Sequence, residues 1–362
     1  MIFAYRMASQ RAGIVNMSIE PIKYIKKVEI QGLWGRYDIE WNLNSDVNVL
    51  AGINGSGKST ILDCISGLIT MGKIHSSYLG NVKKVKLFFD NNRCLPYQFL
   101  KIEDTVKNIE KMAHDNPYIK EIIDDLKEVE GDNYKKIKSI GFERHLTLFE
   151  DLQMTLDELR SVVNVDIIST FDNSLKQAEA IKKLSDDEVE TELDWEIYQL
   201  QKEYLEYQLN VSKRKDSIIE ENSEDIKEKL VKIKFPQVRF LEIMDKLFSE
   251  TLKKINRVEN QVEFLIGDKK ISPFKLSSGE KQLLIILLTV LIQDNKPTIL
   301  FMDEPEISLH IEWQRKLIGY IRELNPNVQV IIATHSPDII MEGWMDKVFN
   351  ASDIIVKDNA TS

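Results

Sequence analysis

Cysteine is scarce in this sequence. Its 362 residues carry two, Cys64 and Cys94, and neither sits in a C-x-x-C spacing, which excludes a disulfide framework and the usual thiolate zinc sites. Histidine is nearly as sparse. His75, His114, His145, His310 and His335 form no H-x-x-x-H or H-E-x-x-H pattern, so a structural zinc site is not expected. Long apolar runs are missing too. The longest, "LLIILLTVLI" at 283–292, is far short of the roughly 20 residues needed to cross a bilayer and reads as a buried helix, so no membrane partner is expected. The N-terminal "MIFAYRMASQRAGIVNM" has no sustained apolar core of the kind a secretory signal requires, and Met17 is an alternative start. These absences point to a reducing, cytoplasmic home.

What remains is a globular composition, 43% apolar and 29% charged. The length suits about two domains of ~150 residues, or one large α/β domain with an insertion. The net charge of −10 argues against nucleic acid until its distribution is seen: residues 185–230 alone hold 15 acidic and 6 basic side chains, a net of −9. The rest of the chain is therefore almost neutral, and nucleic-acid binding by it stays open.

Short apolar runs alternate with helical patterns, which predicts an α/β fold. Strands are expected in "IKYIKKVEIQGL", "RYDIEWNL", "DVNVLAG" and "KVKLFFD", with a helix over "KSTILDCISGLI". Residues 104–160 read as charged helices. A core strand is expected at 165–173, and then Leu193, Ile197, Leu200, Tyr204, Tyr207 and Val211 recur at alternating steps of four and three, the seam of a short coiled coil. That helix is either a solvated amphipathic lid or a partnered antiparallel arm returning through "EDIKEKLVKI". Pro236 marks the return to the core, followed by a helix at 239–254 and a hairpin in "VEFLIGDKKISPFKL". The expected division is an N-terminal lobe at 1–103, a helical insertion and acidic arm at 104–234, and a C-terminal lobe at 235–362.

Four stretches carry chemistry. "GINGSGKS", Gly52 to Ser59, fits G-x-x-x-x-G-K-S between a strand and a helix. Gly55 and Gly57 let backbone N–H groups wrap a phosphate, Lys58 reaches the β/γ-phosphates, Ser59 can ligate Mg²⁺, and the helix N-terminus adds its dipole. "TILFMDEP" is an apolar strand delivering two carboxylates: Asp303 is placed to hold Mg²⁺, and Glu304 to polarise an attacking water. "IIATHSP" delivers His335 in the same way. The fourth, "KLSSGEKQLL", puts Ser277 and Gly279 at a helix start with Glu280 behind them. A helix cap explains the local sequence, but a second phosphate-binding turn on one chain has nothing to hold. Two copies packed head to tail would use both, one chain's Ser277 and Gly279 closing over the nucleotide on the other's Lys58 loop.

Together "GINGSGKST", "LSSGE", "LFMDEPEISLH" and "ATHSP" resemble the ABC-type ATPase superfamily. The "EISLH" stretch is similar to the soluble branch containing SMC, RecF and OLD proteins, and "DVNVLAGINGSGKST", "IISTFD" and the compact length are similar to the ATPases of the Septu anti-phage system and, more loosely, of PARIS. The resemblance implies an ABC-type head of mixed sheet with a helical insertion and arm. It implies Gly52, Asn54, Gly55, Ser56, Gly57, Lys58, Ser59 and Thr60 as the nucleotide loop, with Ser277, Gly279 and Glu280 as the signature. It also implies Asp303 and Glu304 as metal ligand and base, Ser308 to His310 as the D-loop, and His335 as the switch histidine. Arg36 falls where SMC-like heads carry a phosphate-contacting basic residue, and Asp172 or Asn173 stands where a Q-loop glutamine belongs. ATP and Mg²⁺ are the implied ligands, and a separate nuclease, of HNH or Toprim type, is the implied partner. The implied activity is slow, regulatory ATP hydrolysis. Other readings are a RecF-like repair ATPase that binds DNA directly, a scaffold that binds ATP without hydrolysing it, and, more distantly, a transporter subunit.

Overall fold

Apolar runs too short for membranes and too continuous for a half-exposed sheet build the centre of this molecule. The computed structural model describes residues 20–71, 82–98, 159, 161–168, 189–221 and 225–358. Its strands are β1 (Ile25–Leu33), β2 (Tyr37–Asn42), β3 (Val47–Ala51), β4 (Lys84–Phe89), β5 (Cys94–Gln98), β6 (Val165–Ile168), β7 (Lys254–Ile255), β8 (Phe264–Ile266), β9 (Lys269–Ile271), β10 (Thr298–Asp303), β11 (Val328–Thr334), β12 (Val348–Asn350) and β13 (Ile355–Asp358). Its helices are α1 (Lys58–Met71), α2 (Glu192–Glu220), α3 (Ile226–Leu247), α4 (Ser278–Ile292) and α5 (Ile311–Leu324).

A five-stranded sheet, ordered β12-β3-β11-β10-β6, is parallel throughout. Parallel sheets are covered on both faces, which is why β10 and β11 are nearly unbroken apolar strings. Alternate residues face opposite sides. Val49, Leu300, Met302, Val330 and Ile332 join one core with α2, α3, α4 and α5. Leu50, Ile299, Phe301, Ile331 and Ala333 join the other, under α1 and a second sheet. That second sheet, ordered β13-β2-β1-β4-β5, is antiparallel. Gln329, fully buried, ties the two sheets together: its amide donates to the Ile25 and Asn44 carbonyls at 2.8 Å each and accepts from the Ile25 N–H. A three-stranded antiparallel sheet, β7-β8-β9, precedes α4 and contains the expected hairpin.

The apolar run at 283–292 lies within α4, where every residue from Gly279 to Leu291 is buried. It is the helix about which α2, α3 and α5 pack, and no described helix is long and apolar enough to cross a membrane.

The helical segments depart from the sequence reading in two ways. The seam from Leu193 to Val211 is buried as expected, but in the head's own core, together with α4. Past Val211 no residue of α2 is buried. The last nine residues of α2, about 14 Å, are thus its least buried part, although Arg214 still pairs with Asp294 at 2.7 Å, and the chain returns through the first turns of α3 with Lys229 and Glu221 paired at 3.0 Å. Second, α3 does not begin after Pro236 but runs through it, so the expected boundary near 234 falls inside a helix. Burial of Pro236, Phe240, Ile243, Met244 and Leu247 offsets the roughly 3 kcal/mol a mid-helix proline costs. The charged stretch at 104–160 apart from Leu159, the end of the strand expected at 165–173, and Asp172 and Asn173 lie outside the described residues.

Candidate functional site

The register of the parallel sheet assembles the site. Ala51 pairs with Thr334, and Asp303 with Ala333, so β3, β11 and β10 end level, side by side. Ligands of open α/β sheets bind outside the carboxyl ends of the strands, and from these three ends emerge the glycine-rich loop, His335 and Glu304.

The loop from Gly52 to Gly57 joins β3 to α1. Gly55 and Gly57 take φ of 80° and 91°, a region that side chains rarely adopt. At Gly57 there is a second reason for glycine: a Cβ would come within 2.5 Å of Cη2 of Trp34. Trp34, at the tip of the β1–β2 turn, was not singled out from sequence, and its indole braces the loop. Asn54 and Gly55 are exposed, whereas Lys58 is 4% exposed. The Lys58 ammonium donates to the Gly52 and Ile53 carbonyls at 3.0 and 3.3 Å. Ser56 Oγ is buried with no hydrogen-bond partner among the described residues. Helix α1 has no acidic residue in its first turn, so its positive N-terminal end is open to an anion. A buried unpartnered hydroxyl, a lysine and a helix N-terminus converging on one loop fit a phosphate group; Ser59 and Thr60 start the helix behind it.

Ser59 Oγ donates to Asp303 Oδ1 at 3.0 Å. Burial pushes the Asp303 carboxyl up to about 6, with Asp63 and Glu304 adding to the rise while Ser59 and Lys58 oppose it. A buried carboxylate touching a hydroxyl is an oxygen donor pair suited to Mg²⁺. Glu304 leaves the strand in left-handed conformation, φ 48°, its N–H donating to the Ala333 carbonyl at 2.8 Å. That geometry costs about 1–2 kcal/mol for a residue with a Cβ. Its Oε1 stands 3.5 Å from His335 Nδ1.

The signature turn is built at the start of α4. Ser277 caps α4 in a capping box with Glu280, and the partners of the Glu280 carboxylate belong to the fold: Oε2 takes the Ser277 N–H and hydroxyl, and Oε1 takes Thr251 and Lys253 at 3.0 and 2.8 Å. Although burial alone would raise it, Lys253, the Ser277 amide and Thr251 hold the Glu280 carboxyl below its usual range. Within this chain Glu280 thus shapes the turn. Gly279 presses on the Ser308 carbonyl so closely that no Cβ fits, which locks the signature to the D-loop of the same chain; Ser308 itself has φ 67°. Arg36 grips Asp358 through a two-pronged pair at 2.7 and 2.6 Å and covers the Tyr37 ring. The tail strand β13, not anticipated from sequence, carries that aspartate. Glu306 was likewise missed, although "DEPE" displays a third carboxylate; it is 6% exposed and bonded to the residues after β11.

A glycine-rich phosphate loop and two strand-end carboxylates on a parallel sheet, flanked by an antiparallel sheet and a helical layer, define a P-loop ATPase head of the ABC type. The chain belongs to the family described as "AAA domain, putative AbiEii toxin, Type IV TA system", whose model matches residues 47–342. It is similar to the Septu protein PtuA of Bacillus thuringiensis, 25% identical over 335 residues, which cover 90% of this chain and 74% of that protein. It is also similar to "Retron Vc95 probable ATPase" of Vibrio cholerae serotype O1 biovar El Tor, 27% identical over 38% of this chain and 31% of that protein. Among solved structures, the SMC head bound to the C-winged helix domain of ScpA matches at 15% identity over 90% of this chain and 93% of that one, with a TM-score of 0.47.

Proposed function

We propose that this chain hydrolyses ATP, dimerises head to tail around Mg·ATP, and through slow turnover regulates a separate effector nuclease in anti-phage defence. The observation that carries the hydrolytic reading is the convergence at three level strand ends: Ser59 on Asp303 at 3.0 Å and His335 beside Glu304 at 3.5 Å. Lys58 and the loop N–H groups bind the phosphates. Ser59 and Asp303 are the residues that would hold Mg²⁺, which would supply charge neutralisation for the phosphoryl group. Glu304 accepts a hydrogen bond from the attacking water and orients it in line, and His335 donates toward the γ-phosphoryl oxygens. Ser277 and the Gly279 backbone act on the other chain's nucleotide, held in shape by Glu280.

The defence role and the nuclease partner, HNH or Toprim in type, are supported by the sequence resemblance and by the similarity to PtuA over most of both chains. Stoichiometric co-purification of such a nuclease with the full chain is the expected result; a chain that repeatedly purifies without one argues for action on its own.

The hydrolytic reading is tested by phosphate release together with light scattering. Glu304→Gln is expected to cut release by about 100-fold while holding ATP in a dimer, and Lys58→Ala to lose nucleotide binding. Undiminished release by Glu304→Gln would remove Glu304 from this role.

A further inference from the structure

Glu306 has no part in the reaction as set out above, yet its position is unusual. Its Oε1 accepts from the Thr334 hydroxyl at 2.6 Å, the His335 N–H at 3.1 Å and the Ser336 N–H at 3.2 Å, the last N–H being shared with Thr334 Oγ1 at 2.9 Å. His335 Nδ1 lies 3.4 Å from the same oxygen. Its other oxygen, Oε2, is buried with no hydrogen-bond partner among the described residues. A buried carboxylate is costly to desolvate, and the imidazole beside it also faces Glu304.

Resting on the hydrolytic reading, we propose that Glu306 is a positioning residue: its carboxylate clamps the Thr334–Ser336 turn and so sets the His335 imidazole against Glu304. Beyond Thr334 the chain leaves the sheet, and the next two N–H groups lose their ladder partners. Collecting both on one anionic oxygen fixes two successive peptide planes, and with them the direction of the His335 side chain. A charged acceptor makes these bonds stronger than an amide would. The turn is held from its other side as well: Ser336 Oγ donates to Gln314 Oε1 at 2.7 Å, and Gln314 Nε2 donates to the Leu309 carbonyl at 2.9 Å. The histidine is therefore tied to the loop that supports Gly279, through Glu306 at one end and Gln314 at the other.

The test uses the full chain with Mg·ATP and the variants Glu306→Ala, Glu306→Gln, Thr334→Val and Thr334→Ser, each alone and Glu306→Gln also in a His335→Ala background. Phosphate release is expected to fall about tenfold or more in the two Glu306 variants, with the dissociation constant for a fluorescent ATP analogue changed less than about threefold, and Thr334→Ser is expected to recover most of what Thr334→Val loses. In the His335→Ala background Glu306→Gln should add little, because groups acting as a unit are not additive. Hydrogen exchange at residues 335 and 336 should quicken in Glu306→Ala and Glu306→Gln, and this readout does not depend on turnover. Multiplicative losses in the double variant, or unchanged exchange in that turn, would overturn the clamp even with wild-type hydrolysis intact. A wild-type chain that releases no phosphate would overturn the hydrolytic reading, and the catalytic consequence of the clamp with it, while the exchange result still decides the clamp.

Discussion

Asp303 is a residue that the fold carries at a cost. Its carboxyl is pushed up to about 6 from an ordinary value of 3.8, first by burial and then by Asp63 and Glu304. A raised acid pKa means that the folded state binds its proton more tightly than the unfolded chain does. The associated penalty is absent below about pH 4, grows as pH rises through the folded value, and is complete above it. Asp303→Asn keeps an acceptor for Ser59 and removes the charge. Without nucleotide or divalent cation, its melting temperature by calorimetry is expected to exceed wild type at pH 7–8, and the gain is expected to shrink between pH 6 and pH 4. An equal gain at every pH would show that the carboxylate is not strained. Glu304 in its left-handed conformation belongs to the same class of local cost, concentrated where chemistry is proposed.

At the scale of elements, α2 and α4 decide the helical layer. Their contact is apolar along the seam from Leu193 to Val211, but it is pinned by an ion pair: Lys281 Nζ lies 2.7 Å from Asp194 Oδ1, with side chains 10% and 3% exposed. Asp194 also closes the capping box that starts α2. Lys281→Ala leaves that carboxylate buried and unpaired, and is expected to cost about 3–5 kcal/mol in a urea melt, whereas Lys229→Ala, on the exposed arm, should cost less than about 1 kcal/mol. Comparable losses at the two sites would mean that the arm is as integral to the head as the seam. The heptad-like spacing was visible in the sequence, but its partner was not, since a period states which face is apolar and never what covers it.

For the whole molecule, the proposed head-to-tail dimer is testable by mixing. Ser278 is exposed at the first position of α4, and Ser278→Glu leaves the capping box in place while presenting a negative charge to the opposite nucleotide. A mixture of inactive Lys58→Ala chains with inactive Ser278→Glu chains contains heterodimers with one wild-type composite site. With random pairing, about a quarter of wild-type phosphate release is expected. No recovery on mixing, with heterodimers present by mass, would place the whole reaction within one chain.

Composition and pattern alone determined much of this protein: the apolar strings of β10 and β11, the buried run in α4, the glycine-rich loop between strand and helix, and the carboxylates and histidine at strand ends. Those features are local, because a phosphate loop needs its glycines within a few residues and a buried strand must be apolar along its length. Only the tertiary structure decided that β3, β11 and β10 end level, that Arg36 belongs to Asp358, that Glu280 turns its carboxylate inward, that Trp34 rests on Gly57, and that Glu306 reaches the turn after Thr334. Each of these joins segments distant in sequence or chooses between faces of one element. A charged side chain reads the same in sequence whether a ligand or a distant residue neutralises it, and that choice is made by packing.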